Sequence, residues 1–191
     1  MHVPKIQNPI SHSGISMTES LPIIELGNPI LHQPAAQVEN VGDEHLQTLI
    51  DALLVTVHQS NGVGIAAPQV GASCRLFIVA SRPNLRYPHA PTMEPTVMIN
   101  PKILSHSEQQ VAGWEGCLSV PGLRGSIQRY SEIEVEYLDR AGRQHCQVLT
   151  DFVARIFQHE LDHLDGKVFL DRIQNTQALM SEREFQRQFG G

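Results

Sequence analysis

The run SEIEVEY, Ser131 to Tyr137, alternates without a break: Ile133, Val135 and Tyr137 point one way, Glu132, Glu134 and Glu136 the other. A strict period of two belongs to a β-strand with one face in a core and the other in water, which is the habit of antiparallel sheets. Asp139-Arg140-Ala141-Gly142 supplies turn residues that fold the chain back onto a partner strand, Gln144 to Leu149. Arg75 to Ala80 and Thr96 to Asn100 read as short strands bounded by breakers, with a loop of four prolines, Arg82 to Pro95, between them. Strands in runs and hairpins, not in alternation with helices, give an α+β fold class with antiparallel β-sheet.

Helical spacing marks two further segments. From Asp43 to Ser60, Leu46, Leu49, Ile50, Leu53, Leu54 and Val57 recur on one face, with Asp43 as N-cap and Asn61-Gly62 as stop. From Asp151 to Asp165 a second helix is capped by Thr150 or Asp151 and closed by Gly166. A last helix, Asn175 to Phe189, is polar and only weakly amphipathic, and is expected to lie frayed on the surface.

A length of 191 residues suits one domain, and a 41% apolar fraction can fill its core. The expected division is a poorly ordered extension over 1–20, a catalytic domain over 21–173 and a C-terminal helix or tail over 174–191. The net charge of −6 provides no basic face for nucleic acid or acidic lipid, and no stretch is apolar enough to span a membrane. The first 20 residues lack an apolar h-region and arginine, unlike a secretory signal or transit peptide, and Met17 is an alternative start. Three cysteines, Cys74, Cys117 and Cys146, do not make a disulfide framework, so a reducing cytoplasm is expected. Cys74 and Cys146 lie in strand-like runs and are expected to be buried; Cys117, among turn residues, is either a small buried side chain or a ligand.

The helix carries FQHELDHLDG, Phe157 to Gly166. Residues four apart stand one turn apart on the same face, so His159 and His163 can reach one divalent ion. Glu160, offset by about 100°, lies beside that ion and can take a proton from water activated by it. Asp162 is a surface residue or an outer hydrogen-bond partner. A third ligand is needed, and Cys117, Glu182 and Glu184 are the candidates. Gly62 and Gly64 suit either a tight turn or a close approach of backbone to ligand.

Three segments together resemble the peptide deformylases of bacterial type: Gly62-Val63-Gly64-Ile65-Ala66-Ala67-Pro68-Gln69, Glu115-Gly116-Cys117-Leu118-Ser119, and His159-Glu160-Leu161-Asp162-His163. Met98 to Pro101 and the run VPGLRGSIQR after Ser119 extend the resemblance, which covers about residues 21 to 173. It implies an α+β fold with antiparallel sheets packed around a central HExxH helix. It implies one divalent metal ion held by Cys117, His159 and His163, with ferrous iron the usual native ion and zinc, nickel or cobalt able to replace it. Glu160 is then the base and later the acid, and the Gln69 side-chain amide and the Leu118 backbone N–H are the oxyanion donors. The substrate is the N-formyl-methionyl end of new proteins, from which formate is released. The ribosome near its exit tunnel is a further candidate partner, with no direct role for nucleic acid or membrane.

Peptide is expected to add as a strand near Gly64 and Ile65. Gly62, Val63, Phe152 and Ile156 are expected at the substrate, with an apolar pocket for methionine formed by Val63, Phe152 and Ile156. Glu115 and Arg124 stand either at the pocket mouth or in structural ion pairs. Three other readings compete: an HExxH metalloprotease, a non-catalytic metal-binding module and an inactive homologue, the last set against motif positions that are all intact. Cys117 and Gln69 speak against the first; Glu160, idle in a closed site, speaks against the second.

Overall fold

Alternation along one buried strand decides how the layers stack. Leu76 and Ile78 face one side, Phe77 and Val79 the other, and all four are fully buried. A strand buried on both faces needs a layer on each. The computed structural model, which describes residues 19–189, supplies a helix on either side. The expected N-terminal extension, apart from its last two positions, and the alternative start at Met17 fall outside the described residues.

The strands are β1 (Gly64–Ala66), β2 (Leu76–Val79), β3 (Thr96–His106), β4 (Gln110–Cys117), β5 (Val120–Tyr130), β6 (Glu132–Leu138), β7 (Gln144–Thr150) and β8 (Leu179–Ser181). They make a five-stranded sheet, β1-β2-β3-β6-β7, and a three-stranded sheet, β4-β5-β8, antiparallel throughout. The helices are α1 (Glu44–Gln59), α2 (Asp151–Leu164) and α3 (Glu182–Phe189). Among the described residues no helix is long and apolar enough to cross a membrane.

Helix α1 starts where the Asp43 carboxylate accepts the backbone N–H groups of His45 and Leu46, at 2.9 and 3.0 Å. It buries Ile50, Leu53 and Val57 against Ile65, Leu76 and Ile78. Helix α2 lies on the opposite face, where Ala154, Ile156 and Phe157 meet Phe77, Met98 and Val135. Phe77 and Phe157 pack edge to face, 5.1 Å between centroids. Burying Phe157 alone is worth about 2–3 kcal/mol. The third cluster, with Cys117, Val120, Ile127 and Phe169, belongs to the smaller sheet. Helix α2 touches β1 and β2 of one sheet and β5 of the other, so it spans the seam between them.

The β6–β7 hairpin forms as expected, with Ile133 opposite Leu149 and Val135 opposite Gln147. Strand β3 does not stop at Asn100. Asn100 adopts a left-handed φ of 49° and the pairing with β6 shifts register between Ile99 and Lys102, so Asn100-Pro101 is a bulge inside a longer strand. The Asn100 side chain accepts Val38 N–H and donates to Val38 O at 2.9 and 2.8 Å, and its backbone N–H donates to Arg75 O at 2.8 Å, so the bulge is tied down on both sides. Thr150 stands at the N-cap of α2, yet its side chain makes no capping bond, and Gly166 takes the left-handed turn beyond the helix with φ 71°.

The expected helix from Asn175 to Phe189 is a 3₁₀ turn, strand β8 and the short α3. Met180 pairs with Arg124 on β5, and strand pairing stops helix growth there. Helix α3 is anchored, not frayed: Phe185 and Phe189 lie against Trp114, centroids 5.7 and 6.1 Å apart. Cys146, expected to be buried, is exposed on the outer face of β7, where its thiol faces Glu134, and Cys74 is half-buried.

Candidate active site

The β4–β5 hairpin and α2 meet at the seam. Cys117 is the last residue of β4, pushed inward by a tight turn through Leu118 and Ser119. It faces His159 and His163 on α2; the ligand atoms of the three lie within 4.8 Å of one another. Cys117 Sγ is 3.2 Å from His163 Nε2. The imidazoles stand one helical turn apart with ring centroids at 5.1 Å. Glu182 and Glu184, the other candidates for third ligand, are bound instead to Arg124 and Arg187.

His159 is aimed by a carboxylate. Its Nδ1 is 2.9 Å from Glu115 Oε2, which leaves Nε2 to face Cys117. Glu115 is in turn gripped by Arg129, at 2.9 and 3.0 Å, and by Arg155 at 2.9 Å. Arg129 also donates to Asp162 at 2.7 Å, and Arg172 pairs with the same carboxylate. Asp162 is thus a buried outer hydrogen-bond partner rather than a surface residue.

The protonation of these groups follows from burial and neighbours. Burial pushes the Glu115 carboxyl up, but His159 and Arg129 outweigh it and hold the group ionised. Burial would also raise the Cys117 thiol; the charges of His163 and His159 reverse this and hold it well below its usual value. Burial lowers His159, and its contacts with Cys117 and Glu115 more than reverse that. Burial drives Glu160 the other way, up to about 7. Glu160 Oε2 and His163 Nδ1 are buried without a hydrogen-bond partner among the described residues.

These features fit a metal. One thiolate and two imidazoles are a donor set for zinc, ferrous iron, cobalt or nickel. A low-pKa thiolate beside two rings asks for positive charge between them, and the bare Glu160 oxygen asks for a polar partner at the same place.

An open cleft runs over this cluster. Gly62, Val63, Gly64, Gln69, Glu115, Leu118, Phe152 and Ile156 line it together with Cys117, His159 and Glu160. His163 lies beneath the cleft rather than on its lining, and two residues expected at the substrate do not line it either. Ile65 is fully buried and paired with Ile78 inside the sheet. Arg124 is fully buried beneath the hairpin, its guanidinium bound by Glu182. A Cβ on Gly64 would collide with the Glu160 carboxylate and Ile156, so glycine there gives β1 its close approach. Gln69 is held in one orientation: its Oε1 accepts Ala66 N–H at 2.8 Å, and its Nε2 lies 3.2 Å from Ser119 Oγ and 3.4 Å from Cys117 Sγ.

Arg86, Tyr87, Gly116 and Arg155 also line the cleft and were not expected from the sequence. Arg155, four residues before His159 on the same helical face, was open to discovery by spacing. Tyr87, in a proline-rich loop, carried no such signal.

A sequence model of the polypeptide deformylase family matches residues 20–178. Peptide deformylase 2 of Nostoc sp. is 64% identical over 168 residues, covering 88% of this chain and 94% of that protein. Peptide deformylase 2 of Shewanella oneidensis is 48% identical over 164 residues, covering 86% and 90%. The crystal structure of class I type b peptide deformylase from Acinetobacter baumannii with Met-Ala-Ser bound superposes with a TM-score of 0.80 at 47% identity, covering 82% of this chain and 99% of that one. Matches of this length and identity, over a chain whose three motifs converge on one cleft, leave a single assignment: the chain belongs to the polypeptide deformylase family, metal-dependent hydrolases that remove the N-terminal formyl group from nascent polypeptides.

Proposed function

We propose that this chain hydrolyses the formyl amide of N-formyl-methionyl nascent chains to formate and a free amino terminus, with Cys117, His159 and His163 holding one divalent ion and Glu160 moving the proton. The observation that carries this reading is the convergence of those three donors beside a buried carboxylate oxygen that has no partner among the described residues. When bound, such an ion acts as a Lewis acid toward water and the formyl oxygen. Ferrous iron is the native ion in this reading, and zinc, nickel or cobalt replaces it in the same donors.

Glu160 Oε2 accepts a proton as the water oxygen bonds to the formyl carbon. It returns that proton to the amine nitrogen as the carbon–nitrogen bond breaks, so formate and amine leave together. Charge that builds on the carbonyl oxygen meets Gln69 Nε2 and the Leu118 N–H, donors fixed before reaction. Gln69 Nε2 also lies 3.2 Å from Ser119 Oγ and 3.4 Å from Cys117 Sγ, so the donor is already at the ligand cluster where the oxyanion forms.

The peptide lies extended between two edge strands, because β1 ends one sheet and β4 ends the other. Its backbone pairs at Gly64, and its methionine side chain meets Val63, Phe152 and Ile156. The setting is the cytoplasm, near the ribosomal exit tunnel where formylated termini emerge. The test is chemical: metal-loaded protein releases formate from formyl-Met-Ala and leaves acetyl-Met-Ala and internal peptide bonds intact. Cleavage of internal bonds without formate release sinks the proposal in favour of a protease.

A further inference from the structure

Strand β5 keeps part of one edge open. Its inner edge pairs with β4 without a break from Gly125 opposite Glu115 to Tyr130 opposite Gln110. Strand β8 pairs with the outer edge only from Leu123 to Gly125. Farther along, the side-chain amide of Gln158 stands in for a strand: its Oε1 accepts the Tyr130 N–H at 3.0 Å and its Nε2 donates to the Tyr130 carbonyl at 2.9 Å. The backbone groups of Tyr130 therefore point away from β4. Successive residues of a strand turn their N–H and C=O to opposite edges, so those of Gln128 and Ser126 point outward with Tyr130. Among the described residues no strand pairs with them there. The gap between β8 and Gln158 is a slot about four residues long, roughly 13 Å at about 3.3 Å per residue.

The slot opens into a groove on the far side of α2. Gln128 of β5, Asp162 of α2, and Gln174 and Asn175 of the segment leading to β8 line it, with Arg129 and Arg172. None of these residues lines the active-site cleft. The groove is polar, and its carboxylates are already matched: Asp162 is shared by Arg129 and Arg172, and Asp165 is bound by Arg75 at 2.9 Å. Arg172 spends only Nε and Nη2 on Asp162. Its Nη1 has no hydrogen bond among the described residues, and its side chain is 43% exposed.

An arginine with a spare donor, beside backbone groups that lack a strand, suits a ligand that is both an anion and an amide. The end of a polypeptide chain is both. A chain that runs on does not fit, because Leu179 closes one end of the slot and Gln158 the other; a chain that stops does. We propose that this groove binds the C-terminal end of an extended polypeptide, its backbone added as a short strand on Ser126 and Gln128 and its carboxylate held by Arg172. The proposal stands apart from the deformylase reading, since it uses no residue of the metal site.

The experiment follows amide hydrogen exchange residue by residue, by NMR, on the zinc-loaded full chain. The probes are acetyl-Ala-Ser-Gln-Ala with a free C-terminal carboxylate and the same peptide amidated. At saturation the first is expected to slow exchange at Ser126 and Gln128 by about tenfold or more, and to leave Gly64 and Gly116 at the cleft as they were. Amidation of the peptide and Arg172→Gln are each expected to weaken binding by about tenfold, the scale of one hydrogen bond to a charged group. Gln128→Pro removes an edge N–H that β4 does not use, so it is expected to fold as wild type by circular dichroism and to lose the peptide. Exchange at Ser126 and Gln128 that no peptide slows, equal affinity for the two peptides, or protection confined to Gly64 and Gly116 overturns the proposal.

Discussion

Glu115 and His159 lie 44 positions apart in the chain and 2.9 Å apart in space, a carboxylate oxygen against Nδ1. That contact fixes which ring nitrogen faces Cys117. Two arginines, Arg129 and Arg155, hold the carboxylate in place. Replacing Glu115 by Ala frees the His159 ring and strands two guanidinium groups. Metal affinity is expected to fall by about 10- to 100-fold, as for other partners of ligating histidines. Chelator competition checks this; unchanged affinity contradicts the positioning role.

Glu160→Gln retains the shape of the side chain and removes its ability to take a proton. The variant is expected to bind metal as wild type does and to lose about 10²- to 10⁴-fold in turnover. Single-turnover assays on metal-loaded protein give the answer, and a wild-type rate would rule out the proton-transfer role.

Gly64→Ala places a methyl group against the Glu160 carboxylate and Ile156 Cγ2. Both are packed in a core that does not yield easily. The carboxylate is expected to turn away from the cleft, lowering kcat by about 10-fold or more while α2 stays folded. Circular dichroism and steady-state kinetics on one sample separate the two effects.

Glu182 titrates in a way that links acid to the C-terminal helix. Its hydrogen bonds to Arg124 lower its pKa below the ordinary 4.5, against the opposing effect of burial. A group depressed on folding stabilises the native state above its unfolded pKa, and that stabilisation is lost as pH falls through the folded value. Glu182→Gln is therefore expected to lower the melting temperature near neutral pH, and the gap to wild type is expected to close well below pH 4.5. The single tryptophan, Trp114, packs on Phe185 and reports undocking of α3 by its fluorescence. A gap that widens in acid refutes the linkage.

Much of this was legible in the sequence where one physical rule acted alone. Period-two alternation gave the β6–β7 hairpin, and helical spacing with an Asp43 cap gave α1. Three separated motifs pointed to one cleft. What stayed hidden depended on distant partners. Asn100-Pro101 reads locally as a stop and becomes a bulge only because β6 is there to pair with both sides of it. Strands β4 and β5 carry glycines where side chains of α2 and its surroundings need room, as Gly113 does for Arg155, so their pattern is neither alternating nor helical. Cys146 has the look of a core residue, yet β7 closes the sheet edge and turns it to water. Arg124 sits in a family-like run but answers to Glu182 in a helix that composition alone made look loose.

The most direct test is cobalt loading of wild type and Cys117→Ser, followed by ion counting and absorption spectroscopy. The account predicts one cobalt per wild-type chain with a thiolate-to-metal charge-transfer band, and loss of that band in the variant. Cobalt bound one to one with an identical spectrum in both proteins would contradict it.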